Sequence, residues 1–184
     1  MYAWPQKLLR RRSRNARFAE LIHPHIRQLY HMAFRWTGNR EEAEDLVQDV
    51  LASLLTRSVA LEKIQRLGPW LIKVLYHRYV DLYRRRRSSP IDEEVDWETV
   101  ASGTPERGLS SQVEMQRILL QALSKLEVDW RDTVLLHDVE GYSLLEVADI
   151  LGISVGTVKS RLHRAHKKLK KLLSEGTISE GHPC

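Results

Sequence analysis

From Phe18 onward the apolar residues Leu21, Ile22, Ile26, Leu29, Tyr30, Ala33 and Phe34 recur every three to four positions, which predicts a helix with one buried face. The pattern stops at "TGN" (37–39). There Gly38 suits a left-handed C-terminal position, and Asn39 with Glu42 predicts a capping box for the next helix. In that helix Ala43, Leu46, Val47, Val50, Leu51, Leu54 and Leu55 form one stripe, and Glu42, Asp45, Gln48 and Asp49 lie opposite. "GP" at 68–69 breaks the chain and sets Pro69 in the first turn of a third helix, "WLIKVLYHRYVDLYRRRR". Its stripe is Ile72, Leu75, Tyr76, Tyr79, Leu82 and Tyr83.

Residues 88–112 lack periodicity and contain Ser88, Ser89, Pro90, Gly103, Pro105 and Gly108, so they read as a linker. Fully extended, such a segment reaches roughly 80 Å, enough for the flanking units to touch sites more than one DNA turn (about 35 Å) apart. Beyond it Val113, Met115, Ile118, Leu119, Ala122, Leu123 and Leu126 share a face, followed by a break at "EVD" and a short helix from about Trp130 to Asp138, ended by Gly141. Ser143 with Glu146 predicts a second capping box, opening "SLLEVADIL", and Ser154 is placed to cap the last helix after Gly152. The expectation is an all-α protein of two small helical domains, 18–87 and 113–174, joined by a flexible linker. A basic arm (1–17) precedes them and a tail (175–184) follows.

The 184 residues are 42% hydrophobic but only 7% aromatic, which favours short helices over sheets. No apolar run approaches the roughly 18 to 20 residues that span a bilayer, and no signal-peptide core follows the basic N-terminus, so a cytoplasmic location is expected. A single cysteine, Cys184, leaves no intramolecular disulfide and no multi-cysteine zinc site. Net charge is +5 and the pI about 9.4, and the charge is unevenly spread. Lys7, Arg10, Arg11, Arg12, Arg14 and Arg17 occupy 1–17 without an acid, "RRRR" sits at 84–87, and a third basic cluster ends the chain's last helix. The acidic "PIDEEVDWE" (90–98) separates the last two, as for separate surfaces meeting separate partners.

"SLLEVADILGISVGTVKSRLHRA" has the layout of a helix-turn-helix: capped helix, glycine turn, capped second helix. Val158, Leu162, Ala165, Leu169 and Leu172 recur at 4, 3, 4, 3 spacing, so one face of the second helix packs inward. Small Gly156, Thr157 and Ser160 allow close backbone approach to a groove, where free N–H groups favour phosphate. Lys159 lies on the same end, and Arg161 and Arg164, one and two turns in, are placed for base edges or phosphates. An isolated basic amphipathic helix is more often a solvated face. The two caps, the glycine turn and the unbroken basic face together favour DNA.

These residues carry a resemblance. "EGYSLLEVADILGISVGTVKSRLHRAHKKL" closely resembles the promoter-binding C-terminal region of the extracytoplasmic-function sigma factors of bacterial RNA polymerase. Some response regulators share such a helix-turn-helix, but "AEDLVQDVL" (43–51) is similar to the helix with which these factors dock on the polymerase clamp, and 70–87 to their promoter-melting helix. The resemblance covers roughly 18–173, in the family's order. It implies docking of Glu42, Asp45, Gln48 and Asp49 on the clamp coiled coil, and a contact with the polymerase flap. It also implies downstream-element contacts from Trp70, Lys73, Tyr76, His77, Arg78 and Arg84, upstream-element recognition by Ser154 through Arg164, and a flipped-base pocket in the loop 57–69. The acidic linker would thread toward the RNA channel, mimicking nucleic acid. An anti-sigma factor, soluble or membrane-anchored, is the implied regulator. No cofactor, metal or small-molecule substrate is expected, and no bond is made or broken by this chain.

The sequence departs from the family where Leu75, Tyr76 and His77 replace the usual Ala, Arg and Asn, and where Leu51 stands for Phe. The arginine-rich arm is open to two readings, a DNA-contacting disordered arm or a solubilising tail. Two rival functions are weighed against promoter recognition. "HD" at 137–138 and "HPH" at 23–25 would suit a metal-dependent hydrolase, but no supporting His/Asp pair, phosphate-cradling glycine loop or nucleophile elbow accompanies them. A polymerase-free DNA-binding regulator explains 113–173 and leaves "AEDLVQ" and the aromatic-basic third helix without a purpose.

Overall fold

The computed structural model describes residues 6–56, 58–87, 118–119 and 121–178, with side chains described over 15–56, 60–82, 118–119 and 121–174. Helices joined by short turns account for these residues, and no strand occurs among them. The chain divides into two compact units, Met1–Ile91 and Asp92–Cys184. The linker, Cys184 and the end of the tail lie outside the described residues.

In the first unit α1 (Gln6–Thr37) begins a dozen residues before Phe18. Arg, Lys, Gln and Ala are strong helix formers and need no apolar stripe to continue one, so much of the arginine-rich arm joins the first helix instead of forming a separate element. Pro24 sits inside α1 on an exposed face, where the backbone bond it cannot make is open to water. Gly38, at φ +67°, ends the helix. The Asn39 side chain then accepts from Glu41 N–H at 2.8 Å and Glu42 N–H at 3.2 Å, starting α2 (Arg40–Leu55). The Asn39 amide itself donates to Thr37 Oγ1 at 3.4 Å.

Within the expected loop 57–69 a single turn, α3 (Ser58–Leu61), buries Leu61 before α4 (Leu67–Arg87). The core joins Ile22, Leu29, Met32 and Trp36 of α1 to Ala43, Leu46 and Val50 of α2 and Leu71, Ile72, Leu75 and Tyr79 of α4. Trp36, fully buried, stacks on Tyr79 (5.6 Å, 17°) and meets Tyr76 edge-on (5.3 Å, 60°). Ile26, on the predicted stripe, is 42% exposed.

In the second unit, helical residues 121–124 (α5) bury Ala122 and Leu123. α6 (Val128–Val134) starts two residues before the expected Trp130, because the Glu127 carbonyl already accepts from Trp130 N–H at 3.0 Å and Arg131 N–H at 2.9 Å. It widens into a π turn, Leu135–Val139, and closes when Tyr142 N–H reaches the Leu136 carbonyl at 3.0 Å, with Gly141 at φ +75°. The Ser143–Glu146 box is complete: Ser143 N–H donates to Glu146 Oε2 at 2.9 Å and Glu146 N–H to Ser143 Oγ at 3.3 Å, opening α7 (Leu144–Leu151). Gly152, at φ +67°, turns the chain into α8 (Val155–Ile178), whose Val158, Leu162, Ala165 and Leu169 are buried as their spacing predicts. No described helix is long and apolar enough to cross a membrane.

Candidate nucleic-acid interface

Ser154 Oγ accepts the Thr157 N–H at 3.0 Å and lies 2.9 Å from Thr157 Oγ1, while Ser160 Oγ donates to the Thr157 carbonyl at 2.9 Å. The Ser154 hydroxyl thus caps the first turn of α8, the end at which the helix dipole favours an anion. Gly156 is exposed, and a Cβ there would meet only Ser154 Oγ at an ordinary 3.6 Å. Its bareness is therefore not an internal packing need, and leaves room for an approaching partner.

Lys159, Ser160, Arg164, Lys167 and Lys170 point outward. Arg161, His166 and Lys168 instead turn toward α6 and the π turn. Arg161 Nη2 donates to Asp129 Oδ2 at 2.5 Å, with the arginine side chain only 19% exposed. His166 Nε2 is 2.6 Å from Asp138 Oδ2, and Lys168 Nζ lies 6.0 Å from the centre of the Trp130 ring. The structure thus groups Ser154, Gly156, Thr157, Lys159, Ser160 and Arg164 on one surface and draws Arg161 off it. Asp129, 32 positions away, is the residue that sequence reasoning missed, since an exposed acid in a short helix carries no periodic signal.

"HD" has an internal role: His137 Nδ1 bonds to the Tyr142 carbonyl at 2.7 Å, while Asp138 holds His166. In "HPH", His23 is exposed and His25 packs near Gly68, whose added Cβ would stand 3.4 Å from the His25 ring. Among the described residues no group of three His, Cys, Asp or Glu side chains is arranged to hold a metal.

In the first unit Asp45, Gln48 and Asp49 are exposed along α2, with Glu42 half-buried in its first turn. Asp49 accepts from Arg78 of α4. On α4, His77 is exposed with Nδ1 2.8 Å from the Lys73 carbonyl, and Lys73 and Tyr76 are half-buried. The Arg84 side chain lies outside the described residues. Where the departures from the family fall, Leu75 is fully buried, whereas Tyr76 and His77 meet edge-on at 6.2 Å beside the Trp36–Tyr79 stack. A cavity of about 600 Å³ opens between the end of α2, α3 and the start of α4, lined by Ser53, Leu54, Leu61, Ile64, Trp70 and Val74. Ser53 Oγ is bound to the Val50 carbonyl at 2.7 Å, so the wall is chiefly apolar.

Both units match known families: Sigma-70 region 2 over residues 21–89 and Sigma-70, region 4 over residues 116–169. The ECF RNA polymerase sigma factor SigE of Mycolicibacterium smegmatis is 31% identical over 159 residues, 85% of this chain and 61% of that protein. SigM of Mycobacterium tuberculosis is 32% identical over 156 residues, 76% of its length. Among solved structures the chain is similar to the sigma factor RpoE of Bartonella quintana, in complex with the anti-sigma factor NepR, with TM-score 0.68 and 26% identity over 85% of this chain and 96% of that one. The fold is also that of CnrH, solved with the cytosolic domain of CnrY, at TM-score 0.60 and 24% identity over 86% of this chain and 88% of that one. The two regions, in this order, define a sigma factor of the sigma-70 class. Within that class the chain belongs to the extracytoplasmic-function (ECF) family.

Proposed function

We propose that this chain docks on core RNA polymerase and directs it to a particular set of promoters in the cytoplasm, leaving the chemistry to the polymerase. The observation that carries the reading is the pairing of two unlike surfaces in one chain. α8 turns Lys159, Ser160 and Arg164 outward beside a capped N-terminus, as upstream DNA requires. The first unit carries an exposed acidic α2 and an aromatic-basic α4 beside an apolar cavity.

Asp45, Gln48 and Asp49, with Glu42, meet the clamp coiled coil, and the second unit meets the flap. Lys73, Arg78 and Arg84 follow the phosphates of the downstream element while Trp70, Tyr76 and His77 face its unpaired bases. Extracting one base costs a few kcal/mol, which a cavity of this kind offsets by enclosing it. An anti-sigma factor covering these surfaces keeps the chain inactive, a reading supported by the NepR-bound relative. Purified core polymerase reconstituted with the chain, followed by mapping of transcript starts, tests the proposal. Discrete starts absent with core alone are expected; a chain that never associates with core, even after removal of any inhibitor, overturns it.

A further inference from the structure

We infer that Asp129 is a positioning residue that withholds Arg161 from DNA, so that Arg161 anchors the recognition helix to α6 and Arg164 supplies the cationic contact. The inference rests on the reading of α8 as the DNA-facing helix.

The two arginines are one turn apart on α8 and their surroundings differ. Arg164 is exposed, whereas the Arg161 side chain is 19% exposed with its guanidinium on the Asp129 carboxylate. To reach a phosphate, Arg161 would have to give up that charge-assisted bond and leave the Asp129 carboxylate, itself 60% exposed, uncompensated beside the polyanion. Asp129 is itself fixed: it lies in the first turn of α6, where a carboxylate is favoured by the helix dipole, and its carbonyl accepts from Thr133 Oγ1 at 2.7 Å. Thr133 and its neighbours Arg131 and Asp132 are buried, so the carboxylate projects from an immobilised turn. The buried stripe Val158, Leu162, Ala165 and Leu169 sets the rotation of α8, and the pair holds the Arg161 side chain away from the face so presented. It also keeps one cation from strengthening binding to every sequence alike, because phosphate contacts raise affinity without discriminating bases.

Salt dependence separates these roles, since each phosphate neutralised contributes about 0.9 to the slope of log affinity against log salt. The full chain is titrated by fluorescence anisotropy with a mixed-sequence duplex about three helical turns long. Asp129→Asn is expected to steepen the slope by about 0.9 and to tighten binding roughly five- to tenfold at about 0.1 M salt. The charge-neutral double variant Asp129→Asn, Arg161→Gln is expected to keep the wild-type slope, and Asp129→Glu, which restores the pair, likewise.

A double variant whose slope falls by about 0.9 overturns the inference, because Arg161 then already sits on phosphate. So does a folded Asp129→Asn chain, judged by circular dichroism, with an unchanged slope, or a duplex that neither wild type nor Asp129→Asn binds. If Asp129→Asn fails to fold, the double variant decides alone. The double variant Lys159→Ala, Arg164→Ala tells the two failures apart: a slope it does not flatten removes the N-terminal half of α8 from the DNA, a failure of the underlying reading and not of the Asp129 assignment alone.

Discussion

Nη2 of Arg78 on α4 donates to Oδ2 of Asp49 on α2 at 2.8 Å, joining a cation proposed to face DNA to an acid proposed to face polymerase. The side chains are 38% and 54% exposed, so water and salt screen the pair and its share of stability is under about 1 kcal/mol. A double-mutant cycle of Asp49→Ala and Arg78→Ala, read by urea unfolding, is expected to give a coupling below that value. A coupling of several kcal/mol would mean that the pair is structural first.

The same contact ranks the acids of the docking face. Asp49 is already partly neutralised by Arg78, while Asp45 and Gln48 are exposed. Asp45→Ala with Gln48→Ala is therefore expected to weaken competition for core polymerase roughly tenfold, about 1.4 kcal/mol, with the circular dichroism spectrum unchanged. Asp49→Ala is expected to weaken it less. The reverse order would move the docking surface toward α4.

Trp36 closes the first unit's core, and among the described residues its Nε1 has no hydrogen-bond partner, so its contribution is packing. Trp36→Ala removes its contacts with Tyr76 and Tyr79 and is expected to cost about 3–5 kcal/mol, much of what a small domain has. Because the chain forms two compact units, the second is expected to keep its own unfolding transition. Nuclear magnetic resonance spectra retaining the second unit's signals while the first unit's collapse would show it.

Gly152 turns the helix-turn-helix at φ +67° with open space around a would-be Cβ. Gly152→Ala thus meets no clash but forces an L-residue into the left-handed region, at about 1–2 kcal/mol. A lowered melting temperature of the second unit checks this, and an unchanged one would show that the turn relaxes without loss.

Much of the architecture was legible from local rules. The Ser143–Glu146 box, the Ser154 cap, the left-handed Gly38 and the glycine turn at 152 each depend on residues within a few positions, and each is present. The stripe Val158, Leu162, Ala165 and Leu169 needed only a 3.6-residue period. Local rules were less sure of where helices begin. Favourable propensity carried α1 back to Gln6 through residues with no apolar period, and the Glu127 carbonyl started α6 early. Trp36 and Leu71 are buried in α1 and α4 although neither belongs to the apolar stripe that spacing predicts.

By itself the sequence determined most of the helices, the Ser143 and Ser154 caps, the two-unit order and the helix-turn-helix, because these follow from spacing and backbone chemistry inside a few turns. Only the tertiary structure decided which charges remain free. Arg161 and Arg164 are alike in sequence, yet one meets Asp129 from another helix and the other meets water. An ion pair across 32 positions is set by how helices pack, and that leaves no period in the chain to read.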